Sequence, residues 1–176
     1  SAISPDALRG AVEEANRRGM HVAGHLGEIS CTEAAQIGIH TIEHGLSSSI
    51  KDLGINPGAL ASFRYDAVKP AADRLIDLLV ERGVVMVATP TTTDTYNPSA
   101  EELSMLSPDQ LKRYEEIVRN RPPWFPPLSA MPAWDAAHRT FERDFVAAGG
   151  RLLIGADASD FGVVPGYANH RSMIAL

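Results

Sequence analysis

Apolar residues fall along this chain in two alternating rhythms, one of helical spacing and one of short continuous runs. Leu8, Ala11, Val12 and Ala15 recur at helical intervals behind Ser4-Pro5-Asp6, which supplies an N-cap, a proline at the first helical position and an acid in the first turn. Gly19 closes that helix, and Met20 to Leu26 predicts a short buried strand. Ser30-Cys31-Thr32-Glu33 has the spacing of a capping box and Gly38 suits a helix C-cap, so a short helix lies between them. Ile39 to Glu43 predicts a second strand, and Leu46 to Phe63 a loop with about one helical turn. Ala67 to Arg82 is a long amphipathic helix ended by Gly83, and Val84 to Ala88 is a third strand whose unbroken, β-branched run predicts cover on both faces. The long connection 94–131 holds a helix opening on Ser107-Pro108-Asp109-Gln110 and a proline-rich stretch from Arg121 to Pro127. Pro132 opens a helix through Phe141, Phe145 and Val146, which Gly149 and Gly150 end. A fourth strand, Arg151 to Ala156, follows, and a last helix begins near Gly166.

Helix and strand alternate as parallel α/β units do, and no antiparallel pattern competes. With 176 residues and 44% hydrophobic content, the chain supports a single domain, 1–176, with a real core. Its net charge of −6 comes with scattered Lys and Arg, which gives no electrostatic basis for binding nucleic acid or an anionic membrane. The longest apolar runs are strand-sized, far below the ~20 residues of a membrane span, so a soluble chain is expected. Cys31 is the single cysteine, which excludes an internal disulfide. No secretory or other targeting segment is read in the chain, and its compartment stays unassigned. The opening on a helix start and the ending at Ile174-Ala175-Leu176 read as a piece of a longer protein, truncated at both ends.

Three residues carry the candidate chemistry, and a fourth, Thr89, shares their placement. His25, His44, Thr89 and Asp157 each fall at the C-terminal end of a predicted strand, where the βα loops of an α/β barrel gather. Two imidazoles and a carboxylate suit Zn²⁺, Mn²⁺, Fe²⁺ or Co²⁺, and the lack of thiolate ligands points to a catalytic rather than a structural ion. Such an ion draws the pKa of its water from ~15.7 toward ~7, and Asp157 beside that water takes the proton and passes it to a leaving nitrogen. His21 and His40 at strand starts and His138 in a helix read as structural. Glu43 alternates away from its neighbour and reads as a supporting residue or half of a buried pair, not a ligand. Thr91, Thr92, Thr93, Asp94 and Tyr96 read as a polar turn in which Thr91 and Tyr96 are candidate substrate contacts. Trp124 and Phe125 read equally as a lid and as packing under a loop. Cys31 stands at a helix N-terminus, where a thiol pKa can fall, yet it has no base near it in sequence and is a weak nucleophile candidate.

His25, then Gly38-Ile39-His40-Thr41-Ile42-Glu43-His44-Gly45, then a strand ending in Thr89-Pro90-Thr91, then Leu153-Ile154-Gly155-Ala156-Asp157-Ala158 and Pro165-Gly166-Tyr167-Ala168-Asn169-His170 resemble the second half of an amidohydrolase-superfamily barrel. The nearest flavour is the imidazolonepropionase and prolidase-like group. The resemblance runs through nearly the whole chain and implies a partial (β/α)8 TIM barrel, strands five to eight with their helices. It also implies His25 as the strand-five metal ligand, His44 as the strand-six ligand and Asp157 as the strand-eight acid that binds metal and shuttles the proton. His170 would lie near the substrate, and the cofactor would be one or two divalent ions, zinc foremost. The family's His-x-His pair of strand one and its strand-four lysine have no counterpart here.

Two functions are therefore expected. The first is metal-dependent hydrolysis of a C–N bond in a small amide, dipeptide or cyclic amide, through metal-bound hydroxide with Asp157 as base and then acid. The second is a non-catalytic half-barrel or interaction module. Half a barrel leaves open sheet edges and an apolar face, which self-association or a partner half would cover.

Overall fold

The computed structural model describes residues 3–90, 99–120, 131–157, 164 and 166–175. Its elements are α1 (Pro5–Arg17), β1 (Ala23–Gly24), α2 (Cys31–Ile37), β2 (Thr41–Glu43), 3-10 helices at Gly45–Ser49 and Pro57–Ser62, α3 (Tyr65–Glu81) and β3 (Val85–Ala88). Then come α4 (Ala100–Met105), α5 (Pro108–Arg119), α6 (Met131–Ala147), β4 (Arg151–Ile154) and α7 (Tyr167–Ala175). The helix starts follow the capping chemistry of the sequence. Ser4 Oγ accepts the Ala7 N–H at 3.2 Å, and Ser30 Oγ accepts that of Glu33 at 3.1 Å. At α5 the box closes in both directions, Ser107 N–H to Gln110 Oε1 at 2.9 Å and Gln110 N–H to Ser107 Oγ at 3.3 Å. A second closed box, Ser99 with Glu102, opens α4 and has the same S-x-x-E spacing. The proline-rich stretch 121–127, with Trp124 and Phe125, lies outside the described residues.

The strands form one parallel sheet in the order β1-β2-β3-β4. The register sets Gly24, Ile42, Met86 and Leu152 side by side, and residues paired this way share a face. Helices cover that face. Ile42, Met86, Leu79, Phe141 and Phe145 are fully buried there, joined by Leu46 from the first 3-10 helix. The other face carries Thr41, Val85 and Arg151 in one row and Glu43, Val87 and Leu153 in the next, all half-buried or exposed. Leu153 is 55% exposed. The expectation that the third strand is covered on both faces is thus corrected: among the described residues only the helix side is packed. The strands are also shorter than their apolar runs suggest. β1 holds two residues instead of seven, because only Ala23 and Gly24 find partners in β2. Among the described residues no helix is long and apolar enough to cross a membrane.

Asp52 joins the loop after β2 to α2. Its Oδ2 accepts the Cys31 N–H at 2.8 Å and its Oδ1 accepts the Thr32 N–H at 3.0 Å. With Ser30 it satisfies donors that a helix start otherwise leaves without partners. Replacing Asp52 with Ala strips two part-buried N–H groups of their acceptor and should lower the unfolding free energy by about 2 kcal/mol. Urea unfolding of the Asp52→Ala variant reads this directly, and an unchanged midpoint would mean that Ser30 alone caps the helix.

Candidate active site at the strand ends

The loops leaving β1, β2, β3 and β4 bring His25, His44, Thr89 and Asp157 to one end of the sheet. His44 follows β2 in a left-handed conformation, φ 66°, and Gly45 continues it at φ 48°. Asp157, three residues beyond β4, is the other described non-glycine residue with positive φ, at 41°. Side chains rarely adopt this region, and such strain concentrates at functional sites. The turn directs His44 inward, so that its side chain is 16% exposed, while that of Asp157 is 54% exposed.

Three contacts tie the group together. His44 Nδ1 and Thr89 Oγ1 are hydrogen bonded at 2.9 Å, and the His44 ring stands edge-on to that of His25 with centroids 4.6 Å apart. His44 Nε2, the ring nitrogen that Thr89 leaves open, lies 3.9 Å from Asp157 Oδ2. An ion at ~2.0–2.2 Å from each of those two atoms would fit between them, and imidazole with carboxylate is the donor chemistry that suits it. As a full set the three do not close: among the described residues no group of three His, Cys, Asp or Glu side chains stands near enough to hold a metal ion.

The electrostatics favour a neutral imidazole at 44. Burial pushes the His44 pKa down and the neighbouring His25 adds to the effect, against the opposing pull of Asp157, and His138 lowers it further. Glu43 belongs to the same field. Burial raises its carboxyl pKa, Asp157 raises it again, and His25 acts against both. Its place on the open sheet face, half-buried, fits the supporting role expected from its alternation.

The remaining candidates fall elsewhere. Thr91 and Tyr96 lie outside the described residues, as do Thr92, Thr93 and Asp94. His170 is exposed on α7, the helix that follows the Asp157 loop. His40 Nδ1 accepts the Val22 N–H at 3.0 Å, and its ring packs on His21 with centroids 4.8 Å apart, a pair at the strand starts as expected. Thr89 stands at its strand end as expected, and its hydroxyl fixes which nitrogen of His44 stays open.

No protein-family model matches the sequence, and no curated protein matches it. Solved structures do match the fold. Bottromycin amidohydrolase matches with a TM-score of 0.65 and 21% identity, over 97% of this chain and 39% of that one. The fold is thus shared with part of that amidohydrolase. A prolidase complexed with N-methylphosphonate-L-proline matches at TM-score 0.50 and 17% identity, over 97% of this chain and 35% of that one. An uncharacterized protein matches at 0.50 and 19%, over 88% and 28%. The chain thus spans between 28% and 39% of the length of these three structures.

Cys31 is set aside as a nucleophile, in line with its weak candidacy in the sequence. The thiol is fully buried, donates to Ser48 O at 3.2 Å, and is pushed by burial from 9.0 up to about 12, with the Asp52 carboxylate adding to the rise. A raised pKa means the native thiol stays protonated where the unfolded one ionises. Its stabilising contribution is therefore complete below pH 9.0 and is lost as pH climbs toward about 12. A disulfide-exchange reagent at pH 8 should leave the native chain unmodified and titrate one thiol after urea unfolding; rapid reaction of the folded chain would contradict this burial.

Proposed function

We propose that this chain is the catalytic-face portion of an amidohydrolase that cleaves a C–N bond, corresponding to strands five to eight of the barrel. The observation that carries the reading is the meeting of His25, His44 and Asp157 at matching strand ends, with His44 and Asp157 3.9 Å apart. The fold's likeness to bottromycin amidohydrolase agrees with it. In this reading His44 and Asp157, with His25 beside them, would be among the ligands of one or two divalent ions, zinc foremost, and donors from outside the described residues would complete the set. Bound there, a divalent ion supplies Lewis acidity that lowers the pKa of water toward ~7 and polarises a carbonyl. The residues of the chain do the rest. Thr89 holds His44 Nδ1 and keeps Nε2 turned to the site, and burial keeps the ring neutral and ready to donate a lone pair. Asp157, open to solvent, takes the proton of the attacking water on a carboxylate oxygen and passes it to the leaving nitrogen. Small amides are the substrate class, and Xaa-Pro dipeptides and cyclic amides are the first to assay.

Elemental analysis of the purified chain should find about one equivalent of a transition metal, absent from His44→Ala. With a turned-over substrate, Asp157→Asn should keep the fold and lose about a hundredfold or more of kcat; rates like those of the unaltered protein would sink the assignment of Asp157. The open face of the sheet, with Leu153 at 55% exposure, favours a second reading in which the chain pairs with a partner half or with itself. Sedimentation at micromolar concentration separates the two readings. A well-behaved monomer counts against the pairing, and a defined dimer supports it.

A further inference from the structure

Beneath the loop that carries His44 lies a polar cluster that the strand-end chemistry does not use. Glu142 of α6 is 1% exposed, and among the described residues neither carboxylate oxygen has a hydrogen-bond partner. A carboxylate removed from water without donors is destabilising, so packing alone does not account for it. One helical turn earlier stands His138, also buried, with Nδ1 4.0 Å from Glu142 Oε1. The opposite ring nitrogen, Nε2, is hydrogen bonded to Ser47 Oγ at 3.1 Å, and Trp134 meets the ring edge-on, centroids 4.9 Å apart.

This chain of groups ends on the turn that aims His44. Ser47 N–H donates to His44 O at 3.0 Å, Ser48 Oγ donates to Glu43 O at 2.6 Å, and Ser49 Oγ donates to Gly45 O at 3.2 Å. A Cβ on Gly45 would stand 3.1 Å from Glu142 Oε1 and 3.5 Å from Met86 Sδ. The carboxylate therefore sits directly under the left-handed turn. With Glu142 Oε1 4.0 Å from Nδ1, a proton on that nitrogen would face the carboxyl group, and in that tautomer Nε2 accepts the Ser47 hydroxyl proton.

We propose that Ser47, His138 and Glu142 form a positioning relay: α6 grips the His44–Gly45 turn through them and so aims the His44 ring at Thr89 and Asp157. The three are positioning residues, since none of them is placed among the groups that meet substrate. The inference rests on reading His44 as a site residue, and it gives the buried acid and imidazole of α6 a task in place of mere packing.

Imidazole ¹⁵N–¹H spectra of the full chain, without metal or substrate, test the relay. His44 signals are assigned through His44→Gln. In the unaltered chain the two His44 ring nitrogens should show the well-separated shifts of one fixed tautomer, held by Thr89. Ser47→Ala, which removes the bond to His138 without touching the core, should draw the two shifts together as the tautomers exchange. Ser47→Thr, which keeps the hydroxyl, should restore their separation. His138→Phe, which keeps the ring against Trp134, should reproduce the effect of Ser47→Ala. His44 shifts unchanged in Ser47→Ala would overturn the relay, whether or not His138→Phe folds. No hydrolysis or metal enters this readout, so a failure of the proposed chemistry and a failure of the relay are told apart.

Discussion

The register of the parallel sheet fixes where every other feature can lie. Gly24, Ile42, Met86 and Leu152 stand in one row, and that row faces the helices. A slip of one residue would send Ile42 and Met86, both fully buried, to the open side and bring Glu43 and Val87 under α3 and α6. The same register aligns the C-terminal ends of the strands. It is what allows residues far apart in sequence, such as His44 and Thr89, to share a hydrogen bond at 2.9 Å.

One packed face has a physical consequence for the site. A parallel sheet is ordinarily covered on both sides, because its strands read as continuous apolar runs. Here Val85, Val87 and Leu153 look out from a face that the described helices leave bare, while Arg151 and Glu43 share it. Glu43 feels both Asp157 and His25 from that side, so the charge balance at the strand ends is set partly by a residue of the open face. Anything that came to lie against this face would change the dielectric around Glu43 and Asp157 together.

Local signals were the legible ones. The caps at Ser4, Ser30 and Ser107 are written in three or four consecutive residues each, and all three helices begin where those residues stand. The box at Ser99 is written in the same way, inside a long connection whose other signals are loop-like. Strand lengths are less legible, since an apolar run does not say where its partner stops: Met20, at the head of the first apolar run, is 59% exposed. The strand-end placement of His25, His44 and Asp157 was legible from strand order. Their bonding was not, because the Thr89 contact spans 45 residues. Cys31 shows two local effects in competition. The helix N-terminus that could have lowered its pKa is occupied by the Asp52 carboxylate, and burial then decides the outcome.

Unfavourable features collect at one place in this fold. His44 and Asp157 hold positive φ without being glycine, and under the first of these turns Glu142 keeps a buried carboxyl group that has no hydrogen-bond partner among the described residues. Each lowers stability relative to an ordinary turn or an apolar side chain of the same size. A sequence selected for stability alone would relax them independently, with glycine at 44 and 157 and a leucine or methionine at 142. Their grouping around one ring, with Gly45 kept small where Glu142 Oε1 approaches, is the pattern expected when the direction of that ring is what matters. The core of Phe141, Phe145 and Leu79 next to it supplies the rigidity against which such a turn can be held.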